Sequence, residues 1–173
     1  EKSACAEITS TLKREYPQVK LVGVFVNSSV EEIKNILQTC HLDLAQLHGD
    51  ETPETFAQLA PHAFRAFRGI PESNAGYERN EAPAMLIDAA VKGVYGGSGV
   101  TADWTAAAEL AKKYPLLLAG GLTPENVADA VRQVQPWGVD VASGVESAPG
   151  GKDAGKMKAF VRAILDIRDS ESA

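Results

Sequence analysis

Apolar residues along this chain alternate between two periods. Short branched runs of strand length recur as "LVGVFVN" (Leu21–Asn27), "LDLAQLHGD" (Leu42–Asp50), "AFRAFRG" (Ala63–Gly69), "AMLIDA" (Ala84–Ala89), "PLLLAGG" (Pro115–Gly121) and "WGVDVASG" (Trp137–Gly144). Stretches with helical spacing separate them. The first residues, "EKSACAEITSTLKREY", already have it, and Val30–Cys40 follows with Ser29 as cap and Glu32 at the capping-box position. Thr52 and Pro53 open the next helix as N-cap and first helical residue. Further helices are expected over Pro71–Arg79, from Asp103-Trp104 to Lys113, from Thr123-Pro124-Glu125 to Val134, and over the closing "KDAGKMKAFVRAILDI".

Strands that each lead into a helix predict a parallel sheet with helices outside it. Six strands favour an open, doubly wound sheet, but their endings favour a barrel. Asn27, His48, Arg68, Asp88, Gly120-Gly121 and Ser143-Gly144 all stand at C-terminal strand ends. A barrel gathers its chemistry there from many strands, whereas an open sheet concentrates its ligand at one switch point. The expectation is therefore an α/β chain of the (β/α)8 TIM-barrel kind, with about six of eight βα units, as a single domain over residues 1–173. No linker or low-complexity stretch divides it.

Composition narrows the partners. The 173 residues carry a net charge of −6, which argues against nucleic acid and anionic membrane surfaces. No apolar run approaches a membrane span. Cys5 and Cys40 have no metal-site spacing, so no metal is expected. Two reduced cysteines and no secretory signal point to the cytoplasm.

Asp88 is the first candidate for chemistry. It ends an apolar strand, and the next helix starts about fifteen residues later, too far away for Asp88 to cap it. Partial desolvation there favours a protonated carboxyl, which suits a general acid. The glycine turns at Gly120-Gly121 and Ser143-Gly144 close consecutive βα units, where amides commonly hold a phosphate. Asp140, within its strand, shares a face with Gly138 and Ala142, and serves either a ligand or a structural ion pair. Gln46 and His48 share a face toward the expected interior, while His41 and His62 read as surface residues. Arg65 and Arg68 suit either an anionic substrate or a neighbouring carboxylate. Gly96, Gly97 and Gly99 follow no strand directly and read as a cover over the site rather than a nucleotide loop.

"GVFVN", "LDLAQLHGDE", "LIDA…YGGSGVTADW", "LAGGLTPENV" and "GVDVASGVESAPGGKD", in this order from Leu21 to the C-terminus, resemble the phosphoribosylanthranilate isomerase family. The resemblance implies a (β/α)8 barrel and an Amadori rearrangement in tryptophan biosynthesis, without a metal or organic cofactor. It implies Asp88 as general acid, His48 and Asp140 as substrate-binding, and Gly120, Gly121, Ser143 and Gly144 as phosphate-binding; Gln46 joins the substrate-binding residues through the face it shares with His48. The partner is then a phosphorylated small molecule, and the protein a monomer or homodimer. Indole-glycerol-phosphate synthase shares the ligand type but needs a lysine and glutamate constellation that these strand ends lack. A phosphate-binding barrel fragment without catalysis is the other reading. The family's general base, a cysteine in a Lys-Ile-Cys-Gly motif on its first strand, has no match in these residues, nor does an arginine after its second strand. Relative to the family, the chain is expected to begin within the second helix, and without that base to be close to inactive.

Overall fold

The computed structural model describes residues 2–79, 81–89 and 104–171. The chain folds as two compact units, Glu1–Ala66 with Ser73–Arg79, and Phe67–Glu72 with Asn80–Ala173. Each unit is built on parallel strands that follow chain order.

In the first unit, helix α1 (Lys2–Glu15) precedes β1 (Val22–Phe25), α2 (Val30–Thr39), β2 (Leu44–Leu47), α3 (Pro53–Leu59) and β3 (Ala63–Arg68). Local sequence sets the helix starts. Ser29 Oγ accepts from Glu32 N at 3.2 Å, and Thr52 Oγ1 accepts from Thr55 N at 3.3 Å ahead of Pro53. Gly23 pairs with Ala45, and Ala45 with Ala63, so small residues line up across the three strands. Helices α2 and α3 set Ile33, Phe56 and Leu59 against Phe25, Ala45, Leu47 and Ala63. The opposite face of β1 is uncovered: Val22, Val24 and Val26 are all exposed.

Asp43 ties α1 to β1. Its carboxylate accepts from Leu21 N at 2.7 Å and from Lys13 Nζ, with Lys20 Nζ at 3.7 Å. Burial works against the charge, but the Leu21 amide and the Lys13 and Lys20 ammonium groups outweigh it and hold the carboxyl below its usual range. Because the folded value lies below the unfolded one, this stabilisation is complete above the ordinary carboxylate pKa of about 3.9. It is lost as pH falls through the lower folded value. Urea midpoints measured across that acid window are therefore expected to fall less steeply in Asp43→Asn than in the parent. An identical slope would remove the role of Asp43.

The second unit contains β4 (Met85–Asp88), α4 (Trp104–Ala111), β5 (Leu116–Ala119), α5 (Val127–Val134), β6 (Gly138–Val139), a 3-10 turn (Ser143–Val145), a short antiparallel hairpin of β7 (Glu146–Ala148) and β8 (Gly151–Lys152), and α6 (Ala154–Glu171). Met85, Leu86 and Ile87 are all buried, as expected for a parallel strand covered on both faces. Ile87 and Leu118 pack with Val127, Ala130 and Val134 of α5, with Ala107 of α4 and with Phe160 of α6. Asp153 starts α6 by accepting from Lys156 N at 2.8 Å.

Three local expectations are corrected. Residues Pro71–Arg79 form no helix: Tyr77 N bonds Asn74 O at 2.9 Å in a turn, and Gly76 takes φ +81, a left-handed value that ends helical geometry. The helix expected from Thr123 has its regular ladder only from Val127; residues 124–126 form a turn in which Thr123 O accepts from Asn126 N at 3.3 Å and Val127 N at 3.0 Å. The strand expected over Trp137–Gly144 has only two ladder residues; the chain leaves it through Ala142 into the 3-10 turn. Asp140 is thus beyond the strand rather than within it. The glycine cover at residues 96–99 and the helix opening at Asp103 lie outside the described residues.

Candidate active site

Parallel pairing brings the strand ends of the second unit level with one another. Asp88 pairs with Ala119, Ile87 with Leu118, and Leu118 with Val139. Asp140 follows immediately, its N–H donating to Leu118 O at 2.8 Å. Asp88, Ala119 and Asp140 therefore form one row across β4, β5 and the end of β6. Asp88 is half-buried and Asp140 exposed. The Asp88 carbonyl accepts from Gly69 N at 2.8 Å, just past β3, so its backbone is held from both sides.

Two turns flank this row. Gly120 and Gly121 have φ values of +99 and +65, and a Cβ on Gly121 would meet nothing within 4 Å. The turn therefore exposes bare backbone to open space, which is what a backbone-held anion needs. Asn126 fixes it from behind, donating from Nδ2 to Gly121 O at 3.0 Å. The second turn, Ser143–Val145, lies directly on the first: a Cβ on Gly144 would fall 1.8 Å from Leu122 O. Only a glycine lets these two backbones meet. Asp88, Gly120, Gly121, Asp140, Ser143 and Gly144 are thus brought to one end of the second unit.

In the first unit, Gln46 is buried on β2, in register with Val24 and Phe64, and His48 is half-buried one residue past the strand. His48 N donates to Phe25 O at 2.8 Å. His41 and His62 are exposed, as expected. Arg65 turns out to hold a carboxylate, with Nη1 3.1 Å from Glu51 Oε2. Sequence reasoning missed Glu51, which is buried although it follows His48-Gly49-Asp50 in what reads as a polar turn.

Cys5 lies on α1 and Cys40 caps the C-terminus of α2, buried, its thiol donating to Lys2 O at 3.6 Å. A hydrogen bond shared with Cys40, and burial after it, push the Cys5 thiol above its ordinary value. A raised thiol favours its protonated form, which suits Cys5 poorly to act as a thiolate base.

The family model for N-(5'-phosphoribosyl)anthranilate (PRA) isomerase matches residues 1–163. The N-(5'-phosphoribosyl)anthranilate isomerase of Roseiflexus sp. (strain RS-1) is 54% identical over 152 residues, covering 84% of this chain and 70% of the relative. The crystal structure of phosphoribosyl anthranilate isomerase from Thermotoga maritima superposes with a TM-score of 0.76 at 35% identity, over 94% of this chain and 80% of that one. A phosphoribosyl anthranilate isomerase in complex with reduced 1-(o-carboxyphenylamino)-1-deoxyribulose 5-phosphate is 33% identical, with a TM-score of 0.74 over 94% and 78% of the two chains. The expected (β/α)8 architecture, with six parallel strands in this chain, agrees with these neighbours. The chain belongs to the N-(5'-phosphoribosyl)anthranilate isomerase family of tryptophan biosynthesis.

Proposed function

We propose that Asp88 is the general acid of the isomerase reaction, acting in a site whose phosphate is held by the paired glycine turns. The observation that carries this reading is the row that sets Asp88 and Asp140 beside Gly120-Gly121 and Ser143-Gly144. Protonated Asp88 gives its proton to the ribose ring oxygen. The C1–O bond then breaks as the anthranilate nitrogen forms a Schiff base with C1. The C2 proton passes to the family's cysteine base, for which these residues hold no match, giving an enolamine; protonation at C1 with loss of the C2 hydroxyl proton then gives the ketose 1-(2-carboxyphenylamino)-1-deoxyribulose 5-phosphate. Proton transfers alone balance these steps.

The amides of Gly120, Gly121, Ser143 and Gly144 take the phosphate, and Asp140 lies beside the anthranilate. His48 is assigned to substrate binding on the strength of its family motif, and Gln46 through the face it shares with His48. The same reading makes the substrate a small phosphorylated molecule rather than nucleic acid, and places the protein in the cytoplasm as a monomer or homodimer. No helix among the described residues is long and apolar enough to cross a membrane. The test is to supply the intact protein with phosphoribosylanthranilate labelled with 13C at C2 of the ribose. A ketone carbon signal is expected to grow in, and to grow more slowly with added inorganic phosphate. No ketone signal, or no competition by phosphate, overturns the reading.

A further inference from the structure

Glu51 is a buried carboxylate of the first unit. Its side chain is 2% exposed, and its ion-pair partner Arg65 only 12%. Burying such a pair stabilises a fold no better than apolar residues of the same volume. What distinguishes this pair is where its hydrogen bonds go. Glu51 Oε1 accepts from Asn27 N at 2.7 Å and Oε2 from Gly49 N at 2.9 Å. Arg65 Nη1 donates to Leu47 O at 2.8 Å, and Nη2 to Gly49 O at 2.5 Å. The guanidinium thus grips the carbonyls on either side of His48, while the carboxylate grips the amide that follows it.

Three further contacts brace the same turn. Asn27, at φ +55, accepts from Asp50 N through Oδ1 at 2.6 Å. That oxygen lies 2.4 Å from where a Cβ on Gly49 would sit, so the turn closes only with glycine there. Tyr77 donates its hydroxyl to Glu51 O at 2.7 Å, and its ring lies 5.6 Å from the Arg65 guanidinium. Every one of these bonds fixes backbone at the ends of β1 and β2, and they surround the one histidine assigned to the substrate.

We infer that Glu51, through Arg65, is a positioning residue for the reaction: the pair fixes the turn that aims His48 at the substrate. The inference rests on the reading of His48 as a substrate-binding residue. Glu51→Gln keeps the shape but lets the pair go. Asn27→Gly keeps the left-handed backbone and removes only the brace on Asp50, so it provides a second variant where Glu51→Gln does not fold. The probe is the reduced 1-(o-carboxyphenylamino)-1-deoxyribulose 5-phosphate analogue, titrated alongside the imidazole proton resonance of His48.

In either variant the His48 resonance is expected to move or broaden, and the analogue to bind on the order of tenfold more weakly, while affinity for inorganic phosphate is unchanged. A merely structural pair lowers the melting temperature but leaves resonance and affinity as in the parent. That outcome overturns the inference. His48→Ala separates the two levels. Unchanged affinity there overturns the placing of His48 against the substrate, and the positioning role with it. Weakened binding in His48→Ala beside parental binding in both other variants overturns the positioning role alone.

Discussion

Asp88→Asn is expected to lower turnover of phosphoribosylanthranilate by about a thousandfold, the size of effect a single general acid supplies. Asparagine is nearly isosteric with aspartate. The variant keeps the pairing of residue 88 with Ala119 and the bond from Gly69 N to its carbonyl, so β4 and its buried apolar run are undisturbed. What it removes is the proton delivered to the ribose ring oxygen. The loss should therefore fall on kcat, while affinity for the reduced product analogue changes little. Steady-state kinetics on the intact protein, with analogue titrations alongside, make the separation. Turnover within a few-fold of the parent would remove Asp88 as the acid, and a loss confined to KM would make it a binding residue.

Gly144→Ala has the largest expected effect on the fold. The added carbon would lie 1.8 Å from Leu122 O and 2.9 Å from Leu122 C, and both are backbone atoms that no rotamer change can move aside. Forcing the two turns apart is expected to cost about 3 kcal/mol of unfolding free energy, at the upper end for overpacking. It should also abolish inorganic phosphate binding, because the turns no longer meet. Gly121→Ala is the control. Its Cβ would meet nothing within 4 Å, so only the left-handed backbone at φ +65 opposes it, at about 1–2 kcal/mol. Urea unfolding and phosphate titration of the pair give the comparison. Equal losses in both variants would show that the close approach at Gly144 carries no special weight.

The alternation of strand and helix was legible because each buried strand needs a continuous apolar run and each helix an amphipathic one. Met85, Leu86 and Ile87, and Leu116, Leu118 and Ala119, are buried as their composition demands, and Ser29 and Thr52 cap where their side chains predict. Legibility failed at the ends of two elements. The ladder of α5 begins at Val127, after a turn over residues 124–126 that nothing in the run's periodicity announces. Asp140 reads as strand by alternation, yet β6 ends one residue earlier. The structure places Asp140 in one row with Asp88 and Ala119, exposed and just past the strand.

Glu51 was invisible for a different reason. An acid after "LHGD" has the sequence of a solvated turn, and only the third dimension brings Asn27, Gly49 and Arg65 around it. Arg65 was correctly suspected of pairing with a carboxylate, but its alternative, an anionic substrate, has the same sequence signature. The glycine turns were legible as a pair. Their mutual contact at Gly144 was not.

The bonds to Glu51 also have a kinetic side. Asn27 and Gly49 lie outside the strands, where amides ordinarily trade their protons with water as quickly as the loop breathes. Here both N–H groups end on a carboxylate whose side chain is 2% exposed. Releasing either one uncovers a buried charge, so the turn opens only when the core beneath it does. Hydrogen exchange at the Asn27 and Gly49 amides is therefore expected to be as slow as in the strands they adjoin, although both lie in loop sequence.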